Sequence, residues 1–343
     1  MTYFRPLAVL AVLALVITAC GTGASPSVEA SVPSAAASDA DPYADWPDEM
    51  VMGFVPSRES GTLTENIDAL VQALSEALSE EAGREITVTG TVPTDYTGLV
   101  TAMEAEQAHI GAFGPFSLLQ ARDRAQAEII LQSERFGSAT YHTQFFTNNP
   151  DAYCDDEPVA DPETGFQNCN GTADASEGPI AEDKVGTIPE GTAVSFVEQA
   201  SASGYIFPAT IFLNNGIDPT TDIDPIFAGT HDASVIAVCD GDAEVGVSFD
   251  DARGIAETTC DIASNVVVFA YGPEIPNDGW AVLSSLPDNL KEAIKQSLLD
   301  YSATEEGQAA LNDIYEIDAL VEADQDAFEI VEQAAEQLGV TSD

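Results

Sequence analysis

The chain has 343 residues and a formal charge of −49, from 59 acidic against only 10 basic residues. A negative field of this size repels nucleic acid and anionic lipid at long range, so neither is expected as a partner. A bound anion would have to be held by short-range hydrogen bonds against that field. High salt would screen the self-repulsion, which favours a salt-adapted or marine source.

The first residues predict a lipoprotein signal peptide over residues 1–20. One basic residue precedes the apolar run Leu7–Ile17, which is shorter than the ~20 residues that a membrane-spanning helix needs. The order Ile-Thr-Ala-Cys at residues 17–20 resembles a lipobox, although Ile17 stands where Leu is usual. It implies cleavage before Cys20, lipidation of that residue, and an extracytoplasmic protein attached to the bacterial cell membrane by its lipid only.

Residues 21–48 predict a flexible tether, because they are small, polar and dotted with proline. The folded part is expected to begin near Met50. It retains just under three hundred residues, enough for one large or two ordinary α/β domains.

Strand and helix patterns alternate after the tether. Val51–Val55 is a short apolar strand candidate, and NIDALVQALSEALSEEAG has apolar residues at helical spacing. The same order repeats in EITVTGTV, PTDYTGLVTAMEAEQ and HIGAFGPF, and after an irregular insert it resumes at KVGTI. This alternation predicts an α/β fold with parallel or mixed sheets flanked by helices. The remainder from Pro287 is predicted to be helical, and the acidic residues of its last segment form a solvated face.

Four cysteines lie in the predicted folded part. Their sequential spacing favours disulfides of Cys154 with Cys169, which would close the irregular insert, and of Cys239 with Cys260. Three pairings are possible, and the sequence does not choose among them. A zinc site is disfavoured because no CxxC pair is present and the histidines lie far apart, so no metal is expected.

The stretch EQASASGYIFP places Ser201, Ala202, Ser203 and Gly204 just ahead of an apolar, helix-like run. An ordinary helix N-cap explains these residues, since serine is among the commonest capping residues. They also fit a socket for an oxyanion, because the first N–H groups of a helix have no internal partner and serines add further donors.

Several motifs together resemble the substrate-binding proteins of ABC importers for phosphonate, phosphite and related phosphorus oxyanions. The motifs are FVPS (Phe54–Ser57), TDYTGLVTAM (Thr94–Met103), IGAFGPFS (Ile110–Ser117), TYH (Thr140–His142), SASGYIFPATIFLNNGIDP (from Ser201), FAGTHDASVIAV (from Phe227) and IPND (Ile275–Asp278). The resemblance spans roughly Met50 to Leu299. It implies a two-lobed type II periplasmic binding protein with the ligand cleft between its lobes.

On this resemblance, lobe 1 comprises residues 49–145 and is completed by residues 269–343. Lobe 2 comprises residues 146–268 and includes the disulfide-closed insert. The expected partners are a small phosphorus oxyanion, an ABC permease and its ATPase. The protein itself is expected to be a monomer without a cofactor and without enzymatic turnover.

The resemblance also implies the site residues. The socket corresponds to the family's Ser-Thr-Ser-Gly turn, from which Ala202 departs by lacking a side-chain hydroxyl. The other residues implied to bind the ligand are Tyr96, Tyr141, His231, Asp278 and one of Asp250 and Asp251. A carboxylate beside an anion can accept a hydrogen bond from a P–OH group or pair with the amino group of an organophosphonate, and it repels a fully deprotonated ligand.

Three other functions are compatible with parts of the sequence. Ser203, His231 and Asp250 could form a hydrolase triad, although no GxSxG elbow is present. DGDAEVGVSFDD, from Asp240, has acidic residues at EF-hand positions, but Val245 stands where the loop needs glycine. A receptor or sensor of the same fold for another small anion or organic solute is the third alternative.

Overall fold

Two mixed sheets organise the chain in the computed structural model, which describes residues 41–173 and 178–343. The predicted signal peptide, Cys20 and most of the predicted tether lie outside the described residues. The strands are β1 Glu49–Phe54, β2 Thr87–Thr91, β3 Ile110–Phe113, β4 Ala127–Glu134, β5 Thr140–Thr147, β6 Val159–Ala160, β7 Gln167–Asn168, β8 Ala193–Phe196, β9 Asp224–Phe227, β10 Val245–Phe249, β11 Val267–Pro276, β12 Gly279–Leu283 and β13 Ala319–Glu322.

Helices connect most of these strands and cover the sheets. They are α1 Ser60–Ala82, α2 Tyr96–Glu104, α3 Pro115–Ala125, α4 Pro150–Tyr153, α5 Phe207–Asn214, α6 His231–Cys239, α7 Ile262–Asn265, α8 Asp288–Ser302, α9 Glu305–Tyr315 and α10 Glu329–Gln337. Among the described residues, none of these helices combines the length and the apolar character that crossing a membrane requires.

The first sheet has the strand order β13-β4-β12-β3-β1-β2. Strand β1 pairs in parallel with β2 and β3, whereas β12 runs antiparallel to β3 and β4. Its core includes buried residues of α1, α2, α3, α8 and α9, such as Leu70, Leu99, Leu118, Ile294 and Leu311. The β-α alternation that the sequence predicts for Val51 to Phe116 is present here.

The second sheet has the order β6-β7-β11-β5-β10-β8-β9 and is buried on both faces. Successive residues of β5 enter different cores: Phe145 packs with Phe212 on one face, and Phe146 packs with Val235 on the other. Because side chains alternate across a strand, a strand covered on both faces is apolar throughout. This explains the continuous apolar run in NVVVFAY.

The chain passes between the two sheets at two adjacent places. Strand β5 begins at Thr140 and pairs with β11, so that Thr140 lies opposite Pro276. At the crossing, the backbone N–H of Asn277 donates to the carbonyl oxygen of Ala139 at 2.8 Å. The crossings therefore fall before residue 140 and after residue 276, and the expected boundaries at residues 145 and 268 lie within β5 and β11, since both strands belong wholly to the second sheet.

Packed structure begins before the expected Met50. Trp46 is buried, and its indole Nε1 donates to the side-chain oxygen of Asn289 at 3.0 Å. The last residues of the predicted tether are therefore part of the folded body. KVGTI also differs from its prediction: it lies in a 3-10 helix, Glu182–Thr187, because its polar and glycine residues offer no alternating apolar face.

Both favoured disulfides are confirmed. Cys154 bonds to Cys169 across a sequence separation of 15, and Cys239 bonds to Cys260 across a separation of 21. The first disulfide closes the irregular insert. The second ties the C-terminus of α6 to the segment before α7.

Candidate functional site

A cavity lies where the residues after β1 and β4, the N-termini of α2, α3 and α6, and the Ser201 turn converge. It offers about 30 Å³ to water-sized molecules, and one water needs about 10–15 Å³ of such space. The cavity therefore suits a solute with few non-hydrogen atoms. Its lining residues are Val55, Ser57, Arg58, Tyr96, Gly114, Pro115, Arg135, Tyr141, Ser201, Ala202, Ser203, His231, Phe249, Asp278 and Tyr315.

The Ser201 turn has the form of a helix start, with one difference from a simple N-cap. Ser201 Oγ accepts a hydrogen bond from the N–H of Gly204 at 3.1 Å, as a capping residue does. The N–H groups of Tyr205 and Ile206 both donate to the carbonyl of Ser201 at 3.1 Å, which widens the turn into the π-helical segment Ala202–Ile206. Such turns occur frequently at functional sites, and α5 continues directly from this one.

Ser203 and Tyr141 are held together at the cavity. The Ser203 carbonyl accepts from Thr143 Oγ1 at 2.7 Å, which attaches the turn to β5, the strand that carries Tyr141. Burial raises the pKa of Tyr141, and the neighbouring Asp278 raises it further. The phenol therefore stays protonated and remains a donor.

His231 is the first residue of α6, whose N-cap is Thr230. Its Nδ1 lies 2.7 Å from Ser248 Oγ, and its Nε2 lies 3.5 Å from Ser201 Oγ. Burial lowers the pKa of His231 to about 3, with further lowering from Arg135 and Arg58. A neutral imidazole carries one N–H, so Nε2 donates into the cavity when Nδ1 accepts from the Ser248 hydroxyl.

Tyr96 and Asp278, which the resemblance implies as ligand-binding residues, also line the cavity. Tyr96 begins α2, whose N-cap Asp95 accepts from the N–H of Gly98 at 2.7 Å. Burial raises the pKa of Tyr96 well above its ordinary value. Burial likewise raises the pKa of Asp278, while Arg135 and Arg58 act in the opposite direction. Both side chains are therefore biased toward their protonated, hydrogen-donating forms.

Arg58 and Arg135 line the same cavity and were not predicted from the sequence. Both donate from Nη2 to the same oxygen, Oε2 of Glu316, at 3.2 and 3.0 Å. The Arg135 guanidinium also lies 4.7 Å from the centre of the Phe249 ring. The one signal in the sequence is the rarity of basic residues in so acidic a chain.

Tyr315 is a further lining residue that the sequence motifs do not indicate. Its hydroxyl donates to the carbonyl of Val55 at 2.6 Å, and burial raises its pKa well above the ordinary value. The resemblance in sequence ends near Leu299, so it does not extend to this residue. The bond ties the end of α9 to the segment after β1.

Three of the implied site residues do not line the cavity. Asp250 accepts from the backbone N–H of His142 at 2.8 Å. Asp251 accepts two bonds at 3.0 Å from Nε of the buried Arg253 and caps the turn that contains it. Neither carboxylate faces this cavity, because each is engaged elsewhere. Gly204 contributes through its backbone bond to Ser201.

The geometry also bears on two of the alternatives left open by the sequence, the hydrolase triad and the calcium loop. Ser203, His231 and Asp250 have separate partners and form no triad. The segment considered as a calcium loop instead begins directly after α6 and contains the strand β10. Within residues 41–173 and 178–343, no cluster of His, Cys, Asp or Glu is arranged to hold a metal ion.

Comparison with known proteins gives a consistent result. Residues 52–328 match the sequence profile of the family described as "ABC transporter, phosphonate, periplasmic substrate-binding protein". The chain is also 25% identical over 216 residues to the phosphate-import protein PhnD of Mycolicibacterium smegmatis. That match covers 60% of this chain and 56% of the relative, so it spans little more than half of the relative's length.

Two solved structures share the fold. One is a binding protein component of an ABC phosphonate transporter from Pseudomonas aeruginosa, with a TM-score of 0.66, 19% identity, and coverage of 83% of this chain and 85% of that one. The other is PhnD1 from Prochlorococcus marinus in complex with methylphosphonate, with a TM-score of 0.68, 16% identity, and coverage of 85% and 99%. Both similarities support the two-lobed periplasmic binding protein fold expected from the sequence.

Proposed function

Because the chain belongs to the family of periplasmic substrate-binding proteins of phosphonate ABC transporters, we propose that it captures a small phosphorus oxyanion and delivers it to a permease and its ATPase. The family consists of transport proteins that bind a solute, so the protein is a receptor and not an enzyme. The ligand is a phosphonate, phosphite or phosphate. Capture is noncovalent, and release to the permease completes each cycle.

The observation that carries this proposal is the convergence of hydrogen-bond donors on one small cavity. Hydroxyl groups of Ser201, Ser203 and Tyr141 lie there beside the imidazole of His231, and the N-termini of α2, α3 and α6 point the positive ends of their dipoles toward it. Short-range donors of this kind bind an oxyanion strongly in a water-poor site, even though the distant field of the chain is repulsive.

Asp278 supports a ligand that keeps one proton. Its carboxyl lines the cavity, and its raised pKa leaves it able to share a proton with a bound P–OH group. Sulfate carries no such proton at neutral pH, so it cannot donate to the acceptor oxygen of the Asp278 carboxyl. We therefore expect the site to accept phosphorus oxyanions and to reject sulfate.

The size of the cavity supports a small substituent on phosphorus. Room for a few non-hydrogen atoms suits phosphate, phosphite or methylphosphonate better than a long organophosphonate. The named relatives agree with this class, since one is a phosphate-import protein and another was solved with methylphosphonate.

Attachment by a lipid at Cys20 is part of the proposal. The lipobox-like order of residues 17–20 supports it, and a receptor tethered beside its permease would meet it at high effective concentration. The tether then places the folded body, which acts as a monomer, outside the cytoplasm.

The test is isothermal titration of residues 21–343, in high salt, against phosphate, phosphite, methylphosphonate, 2-aminoethylphosphonate and sulfate. We expect tight binding of at least one small phosphorus oxyanion and none of sulfate. In Ser203→Ala the loss of one hydrogen bond to a charged ligand should weaken binding by about 1.5–3 kcal/mol.

Ser264→Ala is the matched control, because Ser264 is exposed in α7 and is not one of the residues that line the cavity. It should bind as the unmodified chain does. Absence of heat with every phosphorus oxyanion would mean that the fold serves another solute.

A further inference from the structure

We propose that Arg58 and Arg135 contact the ligand directly and that this pair makes the site select a doubly charged oxyanion over a singly charged one. The proposal rests on the proposed function, because it specifies the charge of the ligand in the same cavity. It adds two residues that the motifs of the sequence do not contain.

Incomplete pairing of the two guanidinium groups is the first argument. The Arg58 and Arg135 side chains are only 11% and 7% exposed, and both donate to the single oxygen Oε2 of Glu316. The Nε–H group of each is buried and has no hydrogen-bond partner among the described residues. A buried charged donor without a partner is costly, and an oxyanion in the cavity would supply acceptors for both arginines.

The second argument is the contrast with the other basic residues. Every other Lys or Arg of the described chain pairs with at least one carboxylate of its own, in the pairs Arg84–Asp48, Arg122–Asp123, Arg124–Glu104, Lys184–Asp155, Arg253–Asp251, Lys291–Glu128 and Lys295–Glu322. Only the two cavity arginines share one. With 59 acidic residues in the chain, a shortage of carboxylates does not explain this arrangement, whereas a negatively charged ligand does.

The charge balance then indicates the ligand's charge. Two guanidinium groups remain protonated in proteins, and Glu316 cancels one of these charges, which leaves a surplus of one positive charge beside the helix N-termini. Asp278 lines the same cavity, but its tendency to stay protonated reduces its repulsion of a bound anion. Coulomb attraction is proportional to ligand charge, so a dianion gains about twice as much as a monoanion of similar size.

The surroundings of Arg135 hold its guanidinium group in place to bind an anion. It extends from the end of β4 in the first sheet and stacks on Phe249 at the end of β10 in the second sheet, 4.7 Å from the ring centre. A guanidinium group held by a ring and a carboxylate loses little further freedom when it binds an anion. Arg135 therefore adds charge to the cavity at a low entropic cost.

The experiment measures affinity for phosphate, largely a dianion at mildly alkaline pH, and for hypophosphite, a monoanion, at constant ionic strength. Arg58→Gln and Arg135→Gln should each weaken phosphate binding roughly ten- to hundred-fold and weaken hypophosphite binding clearly less. Arg124→Gln is the matched control, because Arg124 pairs with Glu104 away from the cavity; its affinities should not change.

Glu316→Gln gives a second test of opposite sign. It raises the surplus positive charge, so phosphate binding should be retained or strengthened, whereas a purely structural ion pair would make this variant resemble Arg135→Gln. Should a glutamine variant fail to fold, Arg135→Lys keeps the charge without the planar fork. It should bind phosphate more weakly and still prefer it to hypophosphite.

Unchanged phosphate affinity in both arginine variants, or equal losses for the two anions, would overturn the charge assignment alone. If the unmodified chain binds no phosphorus oxyanion at all, the proposed function fails and this proposal fails with it. Titration of the unmodified chain with phosphorus oxyanions distinguishes the two failures.

Discussion

Ala202 is the residue at which the chain departs from the motif that it otherwise resembles. It lines the cavity, is 2% exposed, and packs with the core of the first sheet. The missing hydroxyl removes a side-chain donor, but Arg58 and Arg135 bring charged donors to the same cavity. We infer that the anion contacts of this site are distributed differently from those that the motif alone implies.

His231 gives a prediction about pH. The pKa of the buried imidazole is about 3, below the ordinary value of about 6.5, so the unfolded chain takes up a proton that the folded chain refuses. Its contribution to stability is therefore present above about pH 6.5 and is lost as the pH falls toward about 3, at up to about 1.4 kcal/mol per pH unit.

Urea unfolding of the unmodified chain and of His231→Gln tests this between about pH 7 and pH 5. The stability advantage of the unmodified chain should shrink as the pH falls, because all other titrating groups are common to both proteins. An advantage that stays constant across this range would contradict the neutral, buried imidazole.

At the scale of elements, the π-helical turn depends on Gly204. A Cβ atom there would lie 2.4 Å from the Cβ of Val197 and 2.8 Å from Ser201 Oγ. Gly204→Ala should therefore displace the turn, cost about 1–3 kcal/mol of unfolding free energy, and weaken anion binding. Chemical unfolding and ligand titration measure the two effects.

Gly254→Ala serves as its control, because a Cβ at Gly254 has no atom within 4 Å. It should leave both stability and binding nearly unchanged. If Gly204→Ala bound the anion with full affinity, the detailed form of the turn would not matter to the site.

The C-terminal helix α10 supports the same turn. The Thr210 hydroxyl in α5 lies 3.0 Å from the carbonyl oxygen of Ala334 and 2.8 Å from that of Ile206, so a single donor serves α10 and the end of the turn. Val331 and Ala335 of α10 are buried in the core of the first sheet. The acidic segment that the sequence indicates as a solvated helix thus has an inner face that packs in the core of the first sheet and bonds to α5.

The elements themselves are largely predictable from the sequence because their cause is local. Apolar spacing along the chain is enough to indicate β1, α1, β3 and the buried strand β11. The crossings before residue 140 and after residue 276 are not predictable to the residue, because the apolar pattern of a strand does not show to which of the two sheets it belongs. KVGTI fails as a strand because its polar and glycine residues leave only Val185 and Ile188 as apolar positions, and these do not alternate.

On the scale of the whole molecule, the site residues that could be predicted are those that belong to contiguous sequence motifs. The resemblance names Ser201, Ser203, Tyr96, Tyr141, His231 and Asp278, and all of these residues line the cavity. Arg58, Arg135 and Glu316 are far apart in sequence and meet only in the tertiary structure. No local pattern marks such a cluster, and the excess of acidic residues makes it still less expected.

The large negative charge yields a prediction for the whole chain. Repulsion among surface carboxylates should weaken as the Debye length falls from about 10 Å at 0.1 M salt to about 3 Å at 1 M. One exposed charge pair contributes at most about 1 kcal/mol. Because many carboxylates repel one another here, we expect the free energy of unfolding to rise by more than that over this range of salt concentration.

Urea unfolding at increasing concentrations of sodium chloride and of potassium chloride measures this effect. Equal increases with both salts indicate screening, whereas an increase with only one cation would indicate specific ion binding. Lower stability at high salt would contradict the dominance of surface repulsion.

The cavity is bounded by residues of both sheets, and the N–H of His231 donates across it to the carbonyl of Ser57 at 3.0 Å. We propose that a solute held there leaves when these contacts separate. The residence time of the ligand is therefore governed by how often the two lobes part, and a partner that separates them accelerates release without competing for the ligand.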